Sequence, residues 1–324
     1  MILEKGPAIS PRLAAALSIL FTILYVAPFY LSRTTRPSPY LSRDAPQVIR
    51  ARIRAVTLSC LLSALITIYT TITYNGSSLS QTLHLLGWWP LHPLDILKTL
   101  LLCSILFAGP LYESGIVDGG WRDWIRGRDL AETLGSWIGY RNFIAGPVTE
   151  ELLFRSLIIP LHILAHASPT RIVFLTPLYF GIAHVHHYYE FRLTHPGTPA
   201  LPALLRSVFQ FGYTSVFGFF AAFVFLRTGS VVAITLAHSF CNWQGLPRLW
   251  GRVGELEVEA GVPMGPPDVG DGKGDDAARS GPPLSHGLGT VWTVVYYVSL
   301  VAGAVGFWKC LWVLTESENA LMAM

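Results

Sequence analysis

Glu150, Glu151 and Arg155 stand in the run from Phe143 to Leu164, whose other residues have the composition of a helix buried in lipid. His184 closes a second apolar run, and His238 and Asn242 sit together in a third. A charge near the centre of a bilayer costs about 2.5–3.5 kcal/mol on insertion scales, so each of these groups needs a reason to be there. Spacing separates the two glutamates. Glu151 and Arg155 are four residues apart and share a helical face, where they can neutralise one another as a structural pair. Glu150 is rotated from them by about 100° and has no partner on its own helix. His238 and Asn242 repeat the four-residue spacing and point at one spot.

A carboxylate and a histidine from different helices can hold a water molecule and take its proton, while a second histidine and an asparagine amide can donate hydrogen bonds to a developing oxyanion. That set, Glu150 with His184 and His238 with Asn242, suits hydrolysis of an acyl bond inside a membrane. The sequence leaves a second chemistry open. Glu150, His184 and His238 also form a two-histidine, one-carboxylate set able to hold zinc with an open water position. Metal-independent catalysis, with no cofactor, is the expectation, because Asn242 shares His238's face and no further acid stands near to orient the histidines of a metal site. His162 and His166 lie about 18–24 Å further along their helix than the glutamates, at the opposite end of the span, where packing is expected of them. Cys241 lies between His238 and Asn242, but a thiol in an apolar segment is a poor nucleophile, and it is read as filler. The four cysteines, Cys60, Cys103, Cys241 and Cys310, form no ligand cluster.

The elements that must position these groups are hydrophobic helices. The chain of 324 residues is 52% hydrophobic and 13% charged, with a mean hydropathy of +0.46. The expectation is therefore an all-α polytopic membrane protein of about eight transmembrane helices, at roughly 11–32, 51–74, 95–113, 146–167, 170–187, 207–226, 229–245 and 291–313. The catalytic core would occupy helices four to seven. The first run is longer than a signal peptide's apolar region and lacks a small-residue cleavage site, so it is read as a retained span. The expected units are N-terminal helices with a basic loop over 1–145, the catalytic core over 146–245, a disordered Gly/Pro/Asp-rich loop over 246–290, and a last helix with its tail over 291–324. Arg33, Arg36, Arg43, Arg50, Arg52 and Arg54 stand against one acid, Asp44, in the first inter-helix loop, which places that loop in the cytoplasm. Threading the spans from there brings Glu150, His184, His238 and Asn242 toward the cytosolic leaflet. The net charge of +3 carries no sign of nucleic-acid binding. Gly272-Lys273-Gly274-Asp275 matches the pattern of intramembrane aspartyl proteases, but it falls in a polar loop, and no HExxH occurs.

In the segments EELLFR (150–155), FGIAH (180–184) and HSFCN (238–242), the chain resembles the CAAX-processing endopeptidase superfamily, whose motifs are EExxxR, FxxxH and HxxxN. The motif order and arginine-rich first loop are similar to those of its type II, Ras-converting branch. The resemblance implies an intramembrane endopeptidase of the endoplasmic reticulum that removes the last three residues of farnesylated or geranylgeranylated CAAX proteins, working from the cytosolic side. By motif position, Glu150 and His184 would activate water, His238 and Asn242 would form the oxyanion hole, and Glu151 and Arg155 would support them. The partners implied are prenylated proteins and membrane lipid. A noncatalytic scaffold of the same superfamily would be marked by loss of a motif residue, and none is lost. A proton or metal transporter would carry polar residues toward both leaflets and an internal repeat, and neither is evident. The topology has a direct check. A cysteine introduced at Ser77 is expected to react with a thiol label from the lumen, and cysteines in 33–54 from the cytosol; cytosolic labelling at position 77 inverts the threading.

Overall fold

The structure, a computed structural model, describes residues 6–254 and 288–324. The disordered loop expected over 246–290 lies outside the described residues at 255–287, and so does the Gly272–Asp275 match. All described elements are helical: α1 Pro11–Val26, α2 Pro46–Asn75, α3 Pro93–Leu106, α4 Gly146–Glu151, α5 Ile158–Leu164, α6 Pro169–Ala183, α7 His186–Thr194, α8 Ala200–Thr228, α9 Val231–Gln244 and α10 Thr290–Leu314, with shorter turns between them. Helical chain thus covers each of the eight apolar runs. Among the described residues four stretches are long and apolar enough to cross a membrane, Pro11–Leu31, α2, α8 and α10, and a fifth, Pro93–Leu106 with Ala108–Val117, is bent by 81°.

Local chemistry fixes the helix starts and stops. Ser10, Ser168 and Ser230 cap α1, α6 and α9, each hydroxyl accepting from the backbone N–H three residues on, and Pro11, Pro46 and Pro169 occupy first-turn positions where no N–H is needed. Gly76 and Gly229 end α2 and α8 in the left-handed conformation. The start of α2 corrects one sequence expectation. Arg50 stands on its first turns with Arg52 and Arg54, rather than in a loop, because Pro46 opens the helix five residues before the run expected at 51–74. Long basic side chains extend such a helix beyond hydrocarbon while their stems pack.

Between α4 and α5 the chain widens into a π-helical turn over Leu152–Leu157. Pro160 stands three residues further on and cannot donate to the Ser156 carbonyl, so the regular ladder is already broken there. Two apolar clusters pack around this irregular helix. One gathers Phe21, Phe154, Leu157, Ile158 and Phe180 from α1, the π turn, α5 and α6; the other gathers Ile159, Ile172, Ala222, Phe225 and Ile234 from α5, α6, α8 and α9. α3 packs against both α9 and α10.

The α6–α8 crossing is close because Gly218 faces Pro177. A Cβ at Gly218 would stand 2.6 Å from the Pro177 Cβ and 3.3 Å from Arg155 Nη2. Gly218→Ala is therefore expected to lower stability by about 1–3 kcal/mol, read as a lower thermal midpoint of the detergent-solubilised protein. An unchanged midpoint would show that the two helices separate without cost.

Candidate active site

Glu151 is fully buried and Arg155 is 1% exposed. The expected pair forms, with Arg155 Nη1 donating to Glu151 Oε1 at 3.1 Å. The guanidinium lies over the Phe180 ring, 4.4 Å from its centroid, and Gly218 leaves room for its edge. The same carboxylate oxygen does a second thing that spacing could not foretell. His238, brought in by α9, donates from Nδ1 to Glu151 Oε1 at 2.7 Å. Its other nitrogen, Nε2, stands 3.8 Å from Glu150 Oε2. His238 is thus held between the two adjacent glutamates.

His184 follows the last turn of α6. Its Nδ1 donates to the Phe180 carbonyl at 2.8 Å, which leaves Nε2 as the acceptor nitrogen of the neutral ring. Phe180 packs on it at 4.6 Å between centroids and stands 6.3 Å from His238, so one aromatic ring floors both imidazoles and the Arg155 guanidinium. Asn242, one turn after His238, donates from Nδ2 to the Asn142 carbonyl at 3.0 Å. Asn142 lies in a π turn, Arg141–Ala145, just ahead of α4, so the amide of α9 is tied to the same chain segment that carries the glutamates.

Glu150, His184, His238 and Asn242 all line one cavity of about 560 Å³. All four expected site residues are brought together, and Glu151 and Arg155 support them from behind. His162 is elsewhere: it is buried against α1, with Nε2 at 3.2 Å from Ser18 Oγ, which is a packing role. Cys241, read from sequence as filler, also lines the cavity, as does Cys103 of α3. No residue pattern signals Asn142, whose carbonyl pairs across helices.

Beside this set, α7 presents Glu190, which Arg52 contacts at 2.7 Å, His187 Nδ1 at 3.2 Å and Arg43 at 3.8 Å. Burial pushes its carboxyl up, but the His187 hydrogen bond and the two guanidinium charges outweigh that and hold it well below the usual carboxylate range. Among the described residues the one group of three metal-capable side chains gathered within 4.8 Å is His186, His187 and Glu190, not the Glu150, His184 and His238 set considered for zinc.

Residues 132–244 match the family model described as type II CAAX prenyl endopeptidase Rce1-like. The chain is 40% identical to a probable CAAX prenyl protease 2 of Schizosaccharomyces pombe, over 74% of this chain and 83% of that one. It is 34% identical to the human CAAX prenyl protease 2, over 75% and 73%, and 32% identical to that of Arabidopsis thaliana, over 76% and 84%. No solved structure matches it.

The double role of Glu151 can be separated by mutation. Glu151→Ala strands a buried guanidinium and is expected to cost about 3–5 kcal/mol of stability. Glu151→Gln combined with Arg155→Met removes both charges and should recover most of the thermal midpoint, while turnover stays low because His238 has lost its anionic anchor. A double variant as active as the parent would confine Glu151 to a structural role.

Proposed function

The chain belongs to the type II CAAX prenyl endopeptidase family and is a membrane-embedded CAAX prenyl endopeptidase, and from that premise we propose that Glu150 and His184 activate water for the cleavage while His238 and Asn242 hold the oxyanion. The observation that carries the assignment is the convergence of these four side chains, from three separate helical segments, on one cavity. His184, with Nδ1–H committed to Phe180, offers Nε2 to a water proton, and Glu150 supplies a carboxylate on the same cavity. The water oxygen bonds to the scissile carbonyl carbon as its proton passes to this pair. The carbonyl oxygen becomes an oxyanion, which His238 and Asn242 meet with N–H donors. Breaking the C–N bond then returns the proton to the leaving amine.

His238 can donate from Nε2 while Nδ1–H is held by Glu151 only as an imidazolium. Oxygens of the two carboxylates stand 2.7 Å and 3.8 Å from its two ring nitrogens. A positive donor facing a nascent oxyanion is worth more than a neutral one in a site sheltered from water.

The substrates on this reading are proteins ending in a prenylated cysteine followed by three residues, and the product is the protein ending at that cysteine. The cavity wall includes Phe107, Phe217, Phe220 and Phe307, which suit an isoprenoid chain, while Glu150, His184 and Asn242 face the peptide. The endoplasmic reticulum membrane, with the site open to the cytosol, is the location that fits prenylated proteins made in the cytosol and the basic residues at positions 33–54.

The test is cleavage of a farnesylated CAAX peptide by the purified protein, with a nonprenylated twin as control. Glu150→Gln and His184→Ala are expected to abolish turnover, His238→Ala and Asn242→Ala each to lower it on the order of 10²–10³-fold, and Cys241→Ala to leave it largely intact. Activity that disappears with a strong chelator and returns on adding zinc would replace this mechanism with a metal-bound water.

A further inference from the structure

Three arginines, Arg43, Arg52 and Arg141, and one carboxylate, Glu150, line the cavity, and the arginines are paired with two further acids, Asp44 and Glu190, which leaves that cluster with one positive charge in excess. These cations form a continuous wall. Asp44 Oδ1 lies 2.6 Å from Arg141 Nη1 and 3.8 Å from Arg43; Arg43 reaches Glu190 at 3.8 Å, and Glu190 holds Arg52 and His187. The guanidiniums are only 15–17% exposed, so their field is felt inside the cavity rather than screened by bulk water. His186 adds a second, independent sign. Its Nδ1 donates to the Ala183 carbonyl at 2.6 Å, and its Nε2 is buried with no hydrogen-bond partner among the described residues, although the side chain lines the cavity.

Two ligand classes could satisfy such a nitrogen. A divalent cation on His186, His187 and Glu190 has the ligand atoms it needs, but it would sit beside the guanidinium that Glu190 already holds at 2.7 Å and within reach of a second. Like charges at that range oppose it. An anion has the opposite balance. It gains from the guanidiniums on the wall, and where it carries an N–H, as the last residue of a peptide does, it also offers His186 Nε2 the donor it lacks.

Resting on the endopeptidase reading above, we infer that this basic wall, with Arg141 as its principal contact, binds the free α-carboxylate of the substrate's last residue. Distance agrees with the assignment. Three extended residues separate the scissile bond from that carboxylate by roughly 10 Å. The His187 ring lies 5.8 Å from the His184 ring and the His186 ring 4.1 Å from that of His187, so His186 stands within the reach of three extended residues from His184. Arg141 is the best placed of the arginines to take a ligand. Arg52 is held by the Thr35 carbonyl and by Glu190, and Arg43 lies between Asp44 and Glu190, whereas Arg141, paired with Asp44, donates its Nε to Asn142, whose own carbonyl holds the site residue Asn242. The wall then measures the substrate from its end. An acceptable peptide is one whose carboxylate and prenylated cysteine both find their places while the intervening bond lies over Glu150 and His184.

The experiment compares a farnesylated peptide ending in a free carboxylate with the same peptide ending in a carboxamide, using the full-length protein in nanodiscs. The parent protein should favour the acid by on the order of 10- to 100-fold in kcat/KM, mainly through KM. Arg141→Ala should erase that preference by weakening only the acid, and Arg141→Lys should keep part of it. Asp44→Asn removes the same ion pair but leaves the cation, so it should retain the preference; if it mimicked Arg141→Ala, the arginine would be acting through structure alone. Equal cleavage of acid and amide by the parent, or a preference intact in Arg141→Ala, overturns the inference while the peptidase reading stands. Cleavage of neither peptide overturns both.

Discussion

One carboxylate oxygen, Glu151 Oε1, holds the centre of this protein together. It receives Arg155 from its own helix and His238 from α9, in a place without solvent. Taking either charge out of water singly would cost several kcal/mol, so neither glutamate nor arginine can be accommodated without the other. The pair needs a flat apolar lid over the guanidinium, which Phe180 supplies, and a gap at its edge, which Gly218 supplies. The close α6–α8 crossing and the burial of the whole site follow from accommodating that single ion pair.

The second consequence concerns direction. Because Glu151 binds Nδ1 of His238, Nε2 is turned toward Glu150 and the cavity. The carbonyl of Phe180 does the same for His184 by binding its Nδ1. Two rings on different helices are therefore oriented by one motif residue each. Adjacent glutamates serve unlike ends because a step of one residue on a helix turns a side chain by about 100°, so one faces the packed interior and the other the cavity.

Much of this was legible in the sequence where the chemistry is local. The Glu151–Arg155 pair was readable because four-residue spacing is a property of any helix, and the helical class was readable from apolar runs alone. The contact between His238 and Glu151 was not, since the two are brought together by the packing of helices rather than by a period. Nor was the anchoring of Asn242 on Asn142, which uses a backbone carbonyl that any residue type could provide. Arg50 was left outside its helix for a different reason. Hydropathy marks where hydrocarbon ends, whereas Pro46 marks where the helix begins, and in this protein the two points differ. The π turn at Leu152–Leu157 has a partial trace in Pro160, but a proline alone does not distinguish a kink from a widened turn.

The cavity with a phenylalanine wall and an arginine wall also bears on what happens after bond breakage. Its substrate is an amphiphile whose two ends are solvated by different media. Hydrolysis cuts the covalent link between those ends, so the fragments partition independently: the tripeptide into water, the isoprenoid-bearing chain into lipid. Two weakly held products in separate phases rarely meet again in one cavity. Dilution into two compartments, rather than any feature of the chemical step, then makes turnover effectively one-way.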